Sequence, residues 1–187
     1  TDATGGTTCV FTLNHFRFEL TRDPQIITAR GWAKALDTNA TIIRNGIIRA
    51  RIGIHGTVNC IATQAFKIQS QKNGAGGYTD VPTVIGAAGL GFGSTKCGPI
   101  IDGEVTTQQI TSGTFLVGQV REQQATTPNL LLTNKDTEQV YCLATDTTTV
   151  ADTDYFDLRI VTAAGATLDG ASLVPRVSVV RAGIHHR

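Results

Sequence analysis

The chain has 187 residues, 41% of them hydrophobic and only 17% charged, with 20 glycines and a net charge of +1. That length carries one domain with a core of its own, and the near-neutral balance excludes a strong electrostatic footprint for nucleic acid or an anionic membrane. No apolar run reaches the roughly 20 residues of a membrane-spanning helix.

Residues 1–12 are small, Gly/Thr-rich and weakly patterned, and read as an N-terminal arm. TDATGGTTCV lacks the basic-then-apolar order of an intact signal peptide. The start at Thr1 fits a removed initiator methionine in front of a small residue, or a cleaved leader. HFRFEL (15–20) alternates Phe16, Phe18 and Leu20 with Arg17 and Glu19, as a strand with one buried face does. Asp23-Pro24 is a turn. Trp32 reads as a core or sheet-packing residue, with a ring exposed for sugar stacking as the alternative.

IIRARIGI (47–54) points Ile48, Ala50, Ile52 and Ile54 inward and sets Arg49 and Arg51 side by side on the other face. That pair reads as a solvated face, or as a contact with an acidic partner. FKIQSQKNGAGGYTDVP (66–82) reads as a hairpin. Phe66, Ile68 and Ser70 alternate with Lys67, Gln69 and Gln71, Asn73-Gly74 tolerates positive φ, and Pro82 ends the return strand. VIGAAGLGFGSTKCGP (84–99) lacks the spacing of a phosphate-binding loop and reads as a long loop suited to partner contact.

Further strands are expected after Asp102-Gly103, around Phe115 and Val117, at 130–132, at EQVYCLA (138–144) and at YFDLRIV (155–161). REQQATTPN (121–129) is a polar loop and 146–154 a Thr/Asp-rich turn. LVPRVSVV (173–180) is the last strand, with Pro175 making it an edge or giving it an irregular start. The tail 182–187 carries His185 and His186. These patterns predict an all-β, antiparallel two-layer β-sandwich (jelly-roll or Ig-like), with a domain over 13–181, the arm and long loops.

Cys9, Cys60, Cys97 and Cys142 lie far apart, which excludes a Cys-x-x-Cys zinc pattern. We expect free thiols, with Cys142 in the core, over two disulfides. His15, His55, His185 and His186 share no motif with a nucleophile. The acidic residues Asp146, Asp152, Asp154 and Asp157 lack EF-hand spacing. No catalytic, cofactor or metal residue is assigned.

The ordered phrases FRFELTRD, WAKALDTNATI, IIRARIGI, FKIQSQKNGAGGYTDVP, DGEVTTQQI with SGTF, EQVYCLA, YFDLRIVTAAGATLD and VPRVSVV resemble a group of tailed-bacteriophage virion proteins built as β-sandwiches. The resemblance spans about Phe16 to Val180. It implies a non-enzymatic capsid decoration (cement) protein on the outer capsid surface, homo-oligomeric and bound to the major capsid protein. A fibre, tail or head-spike module that binds a receptor or glycan is the alternative. Contacts are expected from Thr1, Asp2, Thr7 and Thr8 of the arm, from Arg49 and Arg51, and from Leu90 and Phe92 of the glycine-rich loop. A cell-surface adhesion subunit, which would favour two disulfides, and a hydrolase are further readings.

Overall fold

The computed structural model describes residues 9–20, 31–57, 60, 64–93, 97, 101–122, 133–168 and 173–181. Eleven strands run through them: β1 Phe11–Glu19, β2 Ala40–Ile43, β3 Ile47–Gly56, β4 Phe66–Lys72, β5 Thr79–Asp80, β6 Leu90–Phe92, β7 Phe115–Leu116, β8 Val120–Arg121, β9 Lys135–Thr145, β10 Tyr155–Thr162 and β11 Arg176–Val180. One sheet is ordered β1-β3-β9-β6, with β7 and β8 also on β9, and the other β2-β11-β10-β4-β5. The expected all-β two-layer sandwich is the fold. Antiparallel pairing dominates it, but β2 runs parallel to β11, and β7 and β8 run parallel to β9.

The core is the set of inward positions that alternation picks out. Phe16, Phe18, Ile48, Ala50, Ile52 and Ile54 come from the first sheet. Phe66, Ile68, Phe156, Leu158, Ile160, Val177 and Val179 come from the second. Side chains on successive strand residues point to opposite faces, so one apolar set per strand is enough to build this layer. The 66–82 hairpin forms as expected: Gln69 pairs with Asp80 and Ser70 with Thr79, and both Asn73 and Gly74 take positive φ. Strand β11 starts just after Pro175.

The first sheet departs from the expected pattern, because it is buried on both faces. Cys97 and the segment 101–122 lie over its outer face, so nearly every residue of β3 and β9 is buried. One edge of β9 carries β3 along its whole length; the other carries β7, β8 and β6 in succession.

Three expectations are corrected here. The glycine-rich stretch 84–99 is not wholly loop: its centre is β6, and Leu90 and Phe92 are core residues. The arm does not extend to residue 12, because β1 starts at Phe11 and Val10 exchanges hydrogen bonds with Thr57. The cysteines are not free: Cys9 bonds Cys60 and Cys97 bonds Cys142. Even a chain long enough to do without staples accepts them where they pin an edge and a covering segment. The expected strand at 130–132, the Asp23-Pro24 turn, most of the 121–129 loop and the tail lie outside the described residues.

Candidate functional site

Beneath the covering segment lies a buried ionic network. Arg49 and Arg51 of β3 point to the outer face, as alternation demands, but that face is not solvated and both side chains are wholly buried. Arg51 Nη1 donates to Glu138 Oε2 at 2.7 Å and to the Thr107 carbonyl at 3.0 Å. Its Nε donates to Glu19. Arg49 lies 3.9 Å from Glu19 and donates to the Cys97 carbonyl. Two guanidinium groups therefore meet two carboxylates, and the buried charge sums to zero.

Glu138 also receives the covering segment. Its Oε1 accepts from the N–H groups of Gln109 (2.8 Å), Ile110 (2.8 Å) and Thr111 (2.9 Å), and from the Thr111 hydroxyl (2.9 Å). Three successive N–H groups aimed at one oxygen form an anion-binding concavity, here filled by the chain's own carboxylate. Asp136 repeats the device, accepting from Gly113 N–H at 2.8 Å while holding His55 Nδ1 at 2.8 Å. The network's chemistry is spent on fixing residues 106–113 to β9.

His15 Nδ1 lies 2.7 Å from Asp37, which also accepts the Phe16 N–H at 2.8 Å. In both His–Asp pairs the acid holds Nδ1 as an orienting acid would. No Ser or Cys among the described residues bonds the other ring nitrogen. The acidic turn is likewise committed. Asp146 caps Thr148 and Thr149, Asp152 meets Arg44, and Asp154 meets Lys72, Asn73 and the Ala151 N–H. One metal-like cluster occurs among the described residues, Cys97, Cys142 and Glu122, with ligand atoms within 4.8 Å of one another. Its sulfurs are joined as a disulfide and offer no thiolate to a metal. Burial, then Asp102, push the Glu122 carboxyl up, against the pull of Arg49.

Trp32, whose ring could stack on a sugar, and the tyrosines Tyr78 and Tyr155 each carry a guanidinium on one ring face. Arg17 lies 4.2 Å over Trp32, Arg159 4.3 Å over Tyr78 and Arg176 4.0 Å over Tyr155. On the outer face of the second sheet the Tyr78 and Tyr155 stacks join a ladder: Lys67 to Asp80, Asp80 to Gln69, Gln69 to Arg159, and Asp157 to Arg176 in a two-toothed pair at 2.6 and 3.0 Å.

An open slot breaks that sheet. Strand β11 pairs with β10 only at Tyr155–Asp157. The chain then holds β10 through Leu158 N–H to the Pro175 carbonyl and rejoins it at Val161 opposite Thr167. The gap has a volume of about 220 Å3. Leu13, Leu158, Ile160 and Leu168 line it deeply, and Val174, Tyr78 and Arg159 lie at its mouth.

Of the residues proposed as contacts, Arg49, Arg51, Leu90 and Phe92 are interior. Thr1, Asp2, Thr7 and Thr8 lie outside the described residues. The slot leaves no mark in the sequence pattern, because a proline-induced parting of two strands has no periodic signal. Exposed large apolar residues are found elsewhere: Ile101, Val105 and Val117 stand out from the covering segment, 76%, 54% and 56% exposed, while Leu20, Leu36, Ile43, Val84, Val174 and Val180 are exposed at other points of the described residues.

No family model, no curated protein and no solved structure matches the chain.

Proposed function

We propose that this chain is a non-enzymatic structural protein of a virus particle, a capsid decoration protein that binds and stabilises a shell of major capsid protein from outside. The observation that carries the reading is the covering segment. It is fixed to the sandwich by a neutral buried ion network and a disulfide, yet it displays Ile101, Val105 and Val117 to solvent. Val105 and Val117 sit on opposite arms of the local hairpin closed at Val105 and Gln119. Rigidly mounted, exposed branched residues are the features of a protein-contact surface. Weak contacts of this kind become strong when symmetry repeats them.

The guanidinium caps on Trp32, Tyr78 and Tyr155 weigh against the glycan-binding fibre alternative, since one stacking face of each ring is already taken. The two disulfides support a second reading, an exported cell-surface adhesion subunit, because such bonds persist on virions and cell surfaces alike. Copy number in purified native particles separates these. Several hundred copies per particle, lost together with attachment in a Val105→Asp/Val117→Asp protein that still folds, support decoration. A few copies per particle indicate a tail or fibre component, and recovery from cell envelopes alone overturns the virion reading.

A further inference from the structure

We infer that the slot beside β10 is a binding site for a short aliphatic carboxylate. The inference is independent of the capsid reading. The slot has two chemically distinct ends. Its depth is hydrocarbon, with Leu13, Leu158, Ile160 and Leu168 all buried. Its mouth holds Arg159, which has no ion pair among the described residues.

That arginine is set in place before any ligand arrives. Its guanidinium lies on the Tyr78 ring, and its Nε donates to Gln69 Oε1 at 2.8 Å. Gln69 is itself 9% exposed and donates to Asp80 at 2.7 Å, and Lys67 holds Asp80 at 2.8 Å. The stack and the Nε bond use the plane and one edge of the guanidinium. The two Nη groups make no hydrogen bond among the described residues. A planar fork with its orientation already fixed matches a carboxylate with two parallel N–H bonds and loses little entropy on binding. Burial, then the Asp157 charge, push the Tyr78 phenol up against the pull of Arg159 and Arg176, so the hydroxyl at the mouth stays a neutral donor.

Size and charge narrow the occupant. About 220 Å3 falls below the about 300–1,000 Å3 of drug-sized sites, which excludes large ring systems. A single cationic fork over a leucine and isoleucine lining asks for one anionic group at the end of a flexible hydrocarbon chain. Fit comes from the parting of β10 and β11. Pro175 has no N–H to continue the ladder, so the strands separate beside the slot.

The test is titration of the disulfide-intact protein with octanoate and with 1-octanol, followed by methyl NMR and calorimetry. Octanoate is expected to saturate one site, shift the methyl signals of Leu158, Ile160 and Leu168, and bind at least about tenfold tighter than octanol, the margin of one charge-assisted pair. Arg159→Gln is expected to remove that margin while leaving octanol binding unchanged. Arg159→Lys, which keeps the charge without the fork, should fall between. Three results overturn the inference: no saturable octanoate shift, equal affinity for octanoate and octanol in the wild-type chain, or tight octanoate binding that survives Arg159→Gln. The wild-type comparison decides even if the variants fail to fold.

Discussion

At the residue scale, the chain separates charges that hold the structure together from charges that decorate it. Glu138 is wholly buried, accepts four hydrogen bonds from the covering segment through Oε1, and faces Arg51 at 2.7 Å. Removing its charge leaves a buried guanidinium short of a partner. Glu138→Gln is therefore expected to cost about 3–5 kcal/mol. Asp80 makes a similar-looking pair with Lys67, but its side chain is 40% exposed. Asp80→Asn should cost less than about 1 kcal/mol. Urea midpoints of the two variants measure the contrast, and equal losses would show that the network does not fasten the cover.

Asp154 gives a second residue-scale expectation, this time in pH. Burial pushes its carboxyl up, but hydrogen bonds from Asn73, Lys72 and the Ala151 N–H, together with the Lys72 charge, outweigh that and hold it down to about 2. An unfolded aspartate titrates near about 3.9. The folded value is the lower one, so Asp154 stabilises the fold fully above about pH 4, and that contribution is lost as pH falls through about 2. Asp154→Asn should lower the urea midpoint at pH 7 by an amount that shrinks and vanishes between about pH 4 and pH 2. A gap that stays constant down to pH 2 would contradict the assignment.

At the element scale, what the sequence discloses depends on whether a strand has one buried face or two. Strands β4, β10 and β11 show their inward residues by simple alternation, and Ile68, Leu158 and Val177 are all in the core. Strand β3 also alternates, so its apolar side is legible, but Arg49 and Arg51 read as solvated because nothing local marks the lid above them. Their carboxylate partners stand 32 and 87 residues away, in strands whose own patterns carry no hint of pairing. The lid is illegible for a further reason: residues 104–113 attach through backbone N–H groups, which every sequence possesses. Its clearest mark among the described residues is Gly118. A Cβ there would overlap the Glu138 carbonyl oxygen on β9. Gly118→Ala should cost about 1–3 kcal/mol or more through overpacking. Faster amide exchange confined to 104–121 would locate the damage, and unchanged exchange there would show that the approach is not as close as described.

At the scale of the whole molecule, the two disulfides do different work. Cys9–Cys60 joins the start of β1 to the chain just past β3, where Val10 and Thr57 already exchange hydrogen bonds. It reinforces an edge that the sheet also holds. Cys97–Cys142 ties the covering segment to the middle of β9, in a small cluster with Val120 and Val140 apart from the main core. By loop length alone the bonds are near equals, with separations of 51 and 45 residues, each worth about 4 kcal/mol in the chain-entropy account. Their consequences for local opening should differ. A Cys97→Ala/Cys142→Ala protein is expected to be cut within 97–122 by a nonspecific protease in urea well below its unfolding midpoint, because the lid then opens without the sandwich. A Cys9→Ala/Cys60→Ala protein should lose comparable global stability and yet resist cleavage in that segment until the whole fold gives way. Identical cleavage patterns from the two proteins would mean that lid and sandwich open as one unit, and that Glu138 and Arg51 suffice to hold them together.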